Sequence, residues 1–295
     1  MLGKLIKYDF RSLSRILFPT QIAMLGATII ATLGFLFNVR IDLSGASMNG
    51  GIGLLRIIIG FLSGIMVLGI IAASFLVAFI IFQRFYKSLM SDEGYLTFTL
   101  PVTTTDILWS KLITAMLWTI ISGVVIFICI NIFLVLGTSR RVVFNFEIYR
   151  EISRFIHEAF QTIGGKLTVP MIEFVLLSLV SLAYSILHVY LALIIGGIVS
   201  QKHKVLAGIG FYFAISMIVG TISSVVQYFI GEPLLSRFNA LEGVPFDSRT
   251  PIEIYDIIFS ASQPYYWFML IFMLALSAAF FILCHYLLKN KLNLE

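Results

Sequence analysis

Six long segments of this chain are rich in apolar residues and contain no Asp, Glu, Lys or Arg. Each is longer than the roughly 20 apolar residues with which an α-helix crosses about 30 Å of hydrocarbon. Backbone N–H and C=O groups in lipid must bond within their own segment, so each segment is predicted to be a helix. The segments are 16–39, 57–83, 112–139, 174–201, 205–231 and 257–288.

The chain is therefore predicted to be an all-α polytopic membrane protein with one transmembrane domain over residues 1–295. Its mean hydropathy of +1.01 agrees, as does a charged share of 12%, about half the usual value. An interfacial helix is expected at 1–15, an inner loop at 84–110, and outer loops with short helices at 137–170 and 231–263. The six spans are expected near residues 17–38, 55–83, 111–137, 171–200, 205–230 and 264–288.

The distribution of charge predicts the orientation of these spans. With both termini in the cytoplasm, the inner regions carry eleven Lys and Arg residues against five acids. The outer regions then carry nine basic residues against ten acids, which satisfies the positive-inside rule. The excess positive charge suits membrane topology and anionic lipid heads, so it indicates no nucleic-acid partner.

The first 15 residues have the pattern of an amphipathic helix at the inner interface, with its basic side toward phospholipid heads. Pro19 is expected to allow a sharp turn from this helix into the first span. Asp9 lies among the apolar positions. It is interpreted either as a carboxylate at the helix edge that reaches water, or as a contact to a cytoplasmic partner. The basic stripe consists of Lys4, Lys7, Arg11 and Arg15.

The outer loop between the third and fourth spans contains a second amphipathic pattern. Apolar residues recur at helical spacing over 145–163, and charged residues occupy the other face. A helix on the outer surface is therefore expected there, ending at Gly164 and Gly165.

The inner loop 84–110 is the longest connection on its side and carries an unusual apolar segment. Residues 91–94 give a turn signal, and the short apolar run 95–100 is stopped by Pro101. An apolar helix presented to the cytoplasm needs something to cover it. Either it packs against its own spans or the interface, or it docks on a partner.

The far end of the same loop carries a helix-start signal. Thr103 is followed three residues later by Asp106, the spacing of a capping box. The helix of the third span is therefore expected to begin here.

The sequence contains no recognisable catalytic or nucleotide-binding motif. Walker A, HExxH and GxSxG patterns are absent. Ser185 and His188 lie one turn apart, but no acid is near them in sequence, which disfavours a catalytic dyad. Cys129 and Cys284 fall inside predicted spans without partners, so neither a disulfide nor a zinc site is indicated. We therefore expect that the chain is not an enzyme and that it binds no cofactor.

Strongly polar residues within the spans are few. His188, Asn131 and Gln227 are interpreted either as part of a substrate path or as hydrogen-bonding contacts between helices. No chain of Asp, Glu, Lys or Arg is predicted in the membrane, so a proton relay is not indicated. If the protein moves a substrate uphill, the energy is expected to come from another polypeptide.

The inner loop resembles that of the type-2 ABC export permeases, the six-span membrane subunits of many bacterial ABC transporters. The residues that carry the resemblance are Glu93-Gly94, the sequence LPVT at 100–103, Ile107 and Lys111. They are similar to the family's acidic-glycine turn, its LPVS-like break and its trailing lysine. The version DEGYLTFTLPV looks most like permeases of Gram-positive bacteria associated with peptide and drug export.

The resemblance implies that the inner loop contains a coupling helix docked in a groove of a separate ATPase subunit. It also implies that two permease chains, identical or different, face each other with spans two and five lining the path. ATP would be bound by the partner subunit. The implied docking residues are Glu93, Gly94, Tyr95, Leu96, Phe98, Leu100 and Pro101.

The expected function is that of an ABC exporter permease in a bacterial cell membrane, moving an amphiphilic peptide, drug or lipid outward. Two alternatives remain open. The chain could be a non-transporting membrane scaffold or immunity protein, which composition alone does not distinguish. A membrane-embedded enzyme is the third class, and the missing catalytic constellation disfavours it.

The predicted orientation is testable by cysteine labelling in intact cells. Cysteines that replace Ser47, Gln161 or Ser248 are expected to react with an impermeant maleimide from outside, because these positions lie in predicted outer loops. Cysteines at Ser91 or Ser200 are expected to react only after the cells are opened. Labelling of a cysteine at position 91 in intact cells would contradict the predicted orientation and would indicate the opposite one.

Overall fold

The described part of the chain is helical and contains no β-strand. This computed structural model describes residues 2–43, 51–91, 94, 99, 101–137, 147–200, 202–233, 236 and 250–290. The α-helices are α1 (Leu2–Leu43), α2 (Gly51–Met90), α3 (Thr104–Gly137), α4 (Glu147–Ile163), α5 (Thr168–Val199), α6 (Lys204–Val226) and α7 (Pro251–Asn290). A 3₁₀ turn, Gly164–Leu167, precedes α5, and a π-helical turn, Gln227–Gly231, follows α6.

Six helical stretches are long and apolar enough to cross a membrane, which confirms the predicted number of spans. The amphipathic pattern at 145–163 corresponds to α4, and Gly164 ends this helix with a φ of +65°. The six stretches are Leu2–Leu36, Ile57–Met90, Thr104–Ile132, Arg150–Val199, Lys204–Gly231 and Ile252–Asn290.

The chain divides into two compact units. The N-terminal unit comprises Met1–Phe85 and Trp109–Ile152, and the C-terminal unit comprises Tyr86–Leu108 and Ser153–Glu295. The last turn of α2 and the first turn of α3 therefore belong to the C-terminal unit, whereas the bodies of both helices belong to the N-terminal unit.

In the N-terminal unit, α1 and α3 run side by side in the same direction. Ser110 Oγ donates to Asp9 Oδ2 (2.9 Å), and Gln21 Nε2 donates to Ser122 Oγ (2.7 Å). Twelve residues separate the two contacts on each helix, which corresponds to about 18 Å at 1.5 Å per residue. The two contacts therefore come in the same order along both helices, which shows that α1 and α3 run in the same direction.

The sharp turn predicted at Pro19 is wrong, because α1 continues through this residue. Proline removes the N–H that would donate to the carbonyl of Arg15, so the helix lacks one of its bonds at this point. Contacts with α3 on both sides of Pro19 outweigh the local preference for a break. The N-terminal segment is therefore continuous with the helix of the first span.

In the C-terminal unit, α5 packs against both α6 and α7. Lys166 pairs with Asp256 (2.6 Å), and seven residues further along both segments Gln263 Nε2 donates to Glu173 Oε2 (2.9 Å). Because both pairs have the same offset of 90 residues, α5 and α7 are parallel. A seven-residue repeat keeps both contacts on one face of each helix.

Helix α7 begins at Pro251, well before the span predicted at 264–288, and includes Pro264. The backbone N–H of Glu253 donates to Thr250 Oγ1 (3.4 Å), and the Thr250 N–H donates to Glu253 Oε2 (3.3 Å). This reciprocal capping box, with proline at the first helical position, starts the helix early. Residues 251–263 are therefore helical, and the predicted outer loop ends sooner than expected.

The turn from α5 to α6 depends on two glycines. A Cβ atom built on Gly196 would lie 2.3 Å from the backbone N of Gly208, closer than two atoms can approach. Small residues allow such close contact between the backbones of membrane helices. The α5–α6 contact therefore requires glycine at position 196.

Gly196→Ala is expected to destabilise the protein by about 1–3 kcal/mol, because α5 and α6 must separate to admit the methyl group. Thermal unfolding in detergent measures the effect. Gly210→Ala is the matched control, since a Cβ at Gly210 meets nothing within 4 Å. Equal unfolding temperatures for the two variants would contradict the close contact.

Candidate functional site: the inner loop and its flanks

The inner loop predicted to dock a partner is only partly described. Glu93, Tyr95, Leu96, Phe98 and Leu100 lie outside the described residues. Of the other two predicted docking residues, Gly94 is buried and Pro101 is exposed. The backbone N–H of Gly94 donates to the carbonyl of Ser91 (2.7 Å), which confirms the predicted turn.

The incoming flank of the loop, residues 88–90, is buried at the end of α2. Lys204 Nζ donates to the backbone carbonyl of Met90 (3.3 Å). This places a cation at the negative end of the helix, a favourable position for it. A Cβ on Gly197 would lie 3.0 Å from Met90 Sδ, so α5 contacts the same turn. The end of α2 is thus held by both α5 and α6.

The outgoing flank, residues 103–108, begins α3 as the sequence predicts. The backbone N–H of Asp106 donates to Thr103 Oγ1 (3.2 Å), and this hydroxyl donates to Asp106 Oδ2 (2.9 Å). The next residue, Thr104, has its Oγ1 3.0 Å from Nδ1 of His285 near the end of α7. Ile107 and Leu108 are at most 2% exposed. The start of α3 is therefore capped, buried and tied to α7.

Together the two flanks fix the ends of the inner loop on all three long helices of the C-terminal unit. A displacement applied to the loop would be passed to these helices, because the flanks are buried and hydrogen-bonded. Interiors packed in this way deform little and transmit strain. The site can therefore carry mechanical force between the loop and the spans.

His188 lies on α5 and is almost fully buried among aromatic rings. Its ring stacks on Tyr212 of α6 with centroids 4.7 Å apart, and the ring of Phe280 on α7 lies at 5.4 Å. Ser216 Oγ is 3.4 Å from His188 Nε2. These contacts join three helices, which favours the interpretation of His188 as a contact between helices over a place in a substrate path.

The other two polar residues make different contacts. Gln227 Nε2, in the π-helical turn, donates to the hydroxyl of Tyr265 on α7 (2.9 Å). Asn131 Nδ2 donates to the carbonyl of Phe127 in its own helix (2.6 Å). Asn131 belongs to the N-terminal unit, and His188 and Gln227 belong to the C-terminal unit. His188 and Gln227 make separate contacts within the C-terminal unit.

Two acids have partners within the chain that the sequence analysis did not identify. Asp9 is not at a water-exposed helix edge, because its side chain is 15% exposed and forms an ion pair with Lys111 of the same chain. Glu173, at the start of the predicted fourth span, is only 9% exposed and contacts α7.

A short chain of polar contacts orients Glu173. Trp267 Nε1 donates to Gln263 Oε1 (3.1 Å), and the other end of this amide donates to the glutamate. The hydroxyl of Tyr266 donates to the backbone carbonyl of Glu173 (2.8 Å). One turn of α5 is thereby bound to one turn of α7. No group of three or more His, Cys, Asp or Glu residues among those described could hold a metal ion.

Comparison with protein-family models, with curated proteins and with solved structures gives no match for this chain.

Glu173→Ala is expected to lower stability by about 1 kcal/mol, since the partly buried amide of Gln263 then lacks its acceptor. Glu173→Gln is the control, because its side-chain carbonyl can still accept from Gln263, and it is expected to lose much less. Unfolding temperatures in detergent compare the two. A loss of equal size in both variants would assign the effect to the charge of Glu173, and the hydrogen bond would then not be its cause.

Proposed function

We propose that this chain is the membrane-embedded permease subunit of an ATP-binding cassette exporter. In this proposal it moves an amphiphilic peptide, drug or lipid out of a bacterial cell, using ATP hydrolysed by a separate subunit. The observation that carries the proposal is the pair of buried flanks on either side of the inner loop. They would give a docked partner a rigid connection to three spans.

The flanks suit this role for a mechanical reason. Closure of an ATPase would displace residues 94–101, and a loosely attached loop would absorb the displacement. Leu89, Met90, Ile107 and Leu108 are each at most 2% exposed, so the loop ends on packed side chains. Helices α2 and α3 also pass from one unit to the other beside these flanks. Movement of the loop would therefore reach both units through continuous helices.

A second chain is part of the proposal, because the family that the loop resembles uses two permease subunits. In spans two and five, only 12% and 11% of the most apolar stretch is buried by the rest of the chain, the smallest shares among the six spans. The fourth span buries 50%. Two largely uncovered helices support a path or an interface formed with another copy, although lipid can also cover apolar surface. N- and C-termini in the cytoplasm complete the proposal.

The docking role is tested by placing a charge in the apolar segment. Phe98→Asp is expected to abolish co-purification of an ATPase with the tagged full-length chain, because buried aromatic residues dominate interface energies. A loss of about 2 kcal/mol of binding free energy corresponds to roughly 30-fold weaker binding of the ATPase. Phe98→Leu keeps an apolar side chain and is the matched control. Pull-down and ATP hydrolysis in reconstituted membranes give the measurement.

Glu93→Ala, expected to remove a contact to a basic residue of the partner, is measured in the same assay. If Phe98→Asp and Glu93→Ala both leave partner binding and transport unchanged, residues 93–101 are not the docking segment. If the wild-type chain brings down no ATPase, the proposal fails as a whole and the scaffold alternative gains support.

A further inference from the structure

The N-terminal part of α1 presents an exposed face that carries four cations and no acid. Its four cationic side chains are exposed, and none forms an ion pair with a residue that the structure describes. They recur every three or four residues, which places them on one side of the helix. The four are Lys4, Lys7, Arg11 and Arg15.

Asp9, the only acid in the first 15 residues, points away from this face. Its carboxylate forms an ion pair with Lys111 and accepts a hydrogen bond from Ser110. The two charged side chains are only 15% and 10% exposed. Removal of one partner would leave a buried charge without compensation, which is strongly unfavourable. The pair thus keeps the acid inside and leaves the exposed face without negative charge.

The residues beside the contact between Asp9 and Ser110 indicate the depth of this face in the membrane. Tyr8 precedes Asp9 and Trp109 precedes Ser110 in the chain, and the two aromatic side chains are 70% and 45% exposed. Exposed tyrosine and tryptophan are typical of the membrane–water interface. Beyond Arg15 the exposed residues of α1 become apolar, beginning with Ile16 and Phe18. The four cations therefore lie where phospholipid headgroups are expected.

We propose that the N-terminal face of α1 binds the headgroups of anionic phospholipids, and that the Asp9–Lys111 pair positions it for this purpose. Phosphate groups complement a surface with four cations and no acid. The apolar residues that follow on the same side point to lipid as the occupant, because acyl chains would cover them below the bound headgroup. This inference does not depend on the proposed transport activity.

Native mass spectrometry of the full chain in detergent, with added phosphatidylglycerol or phosphatidylcholine, tests the binding. Wild type is expected to retain phosphatidylglycerol preferentially. Replacing Lys4, Lys7, Arg11 and Arg15 with Gln is expected to weaken this retention by roughly tenfold or more, because each cation near the surface adds to the attraction. The matched control replaces four exposed cations elsewhere with Gln, namely Arg150, Arg154, Lys202 and Lys289.

Equal retention of the two lipids by wild type would overturn the proposal. So would an equal loss in the control variant, since the effect would then be one of net charge. A wild-type chain that loses its lipid preference when an acidic protein co-purifies would show that a protein covers this face, which also overturns it.

The role of the ion pair has its own test. Lys111→Gln is expected to lower phosphatidylglycerol retention although all four exposed cations remain, because Asp9 would lose its partner and turn toward the surface. The double variant Asp9→Asn with Lys111→Gln is expected to restore retention, since no carboxylate is left to turn outward. If the double variant binds as weakly as the single one, the pair does not position the face.

Discussion

The absence of water around a membrane-spanning segment leaves each backbone N–H and C=O group dependent on its own helix. This constraint produces the long helices of the chain, and it also removes the usual reason for helices to associate. Lipid is as apolar as leucine, so apolar side chains gain little by leaving it for a neighbouring helix. The helices must therefore be held by close backbone contact or by polar pairs. Both are present, at Gly196 with Gly208 and at Asp9 with Lys111.

These polar pairs fix the register of parallel helices as well as their proximity. In the N-terminal unit, Asp9 and Gln21 contact α3 twelve residues apart. In the C-terminal unit, Lys166 and Glu173 contact α7 residues with a shared offset. A single contact allows a helix to pivot, whereas two contacts along its length also define its direction. Each unit thus has one pair of helices whose relative position is determined by specific atoms.

The sequence was sufficient where the signal is local or is averaged over many residues. Six apolar segments and the capping pair Thr103–Asp106 depend on neighbours in the chain, and both are observed. Predictions failed where a distant contact decides the outcome. Pro19 has the preferences of a helix break, but contacts to a helix 100 residues away keep the helix continuous. The burial of Asp9 and Glu173 depends on partners that a single sequence does not identify.

The equal spacing along α1 and α3 has a consequence for how this part of the chain can change. Substitutions between Asp9 and Gln21 alter side chains but leave both contacts to α3 in place. One inserted residue would rotate everything beyond it by about 100° and advance it by about 1.5 Å, so only one of the two contacts could persist. The length of this segment is therefore fixed more strictly than its composition.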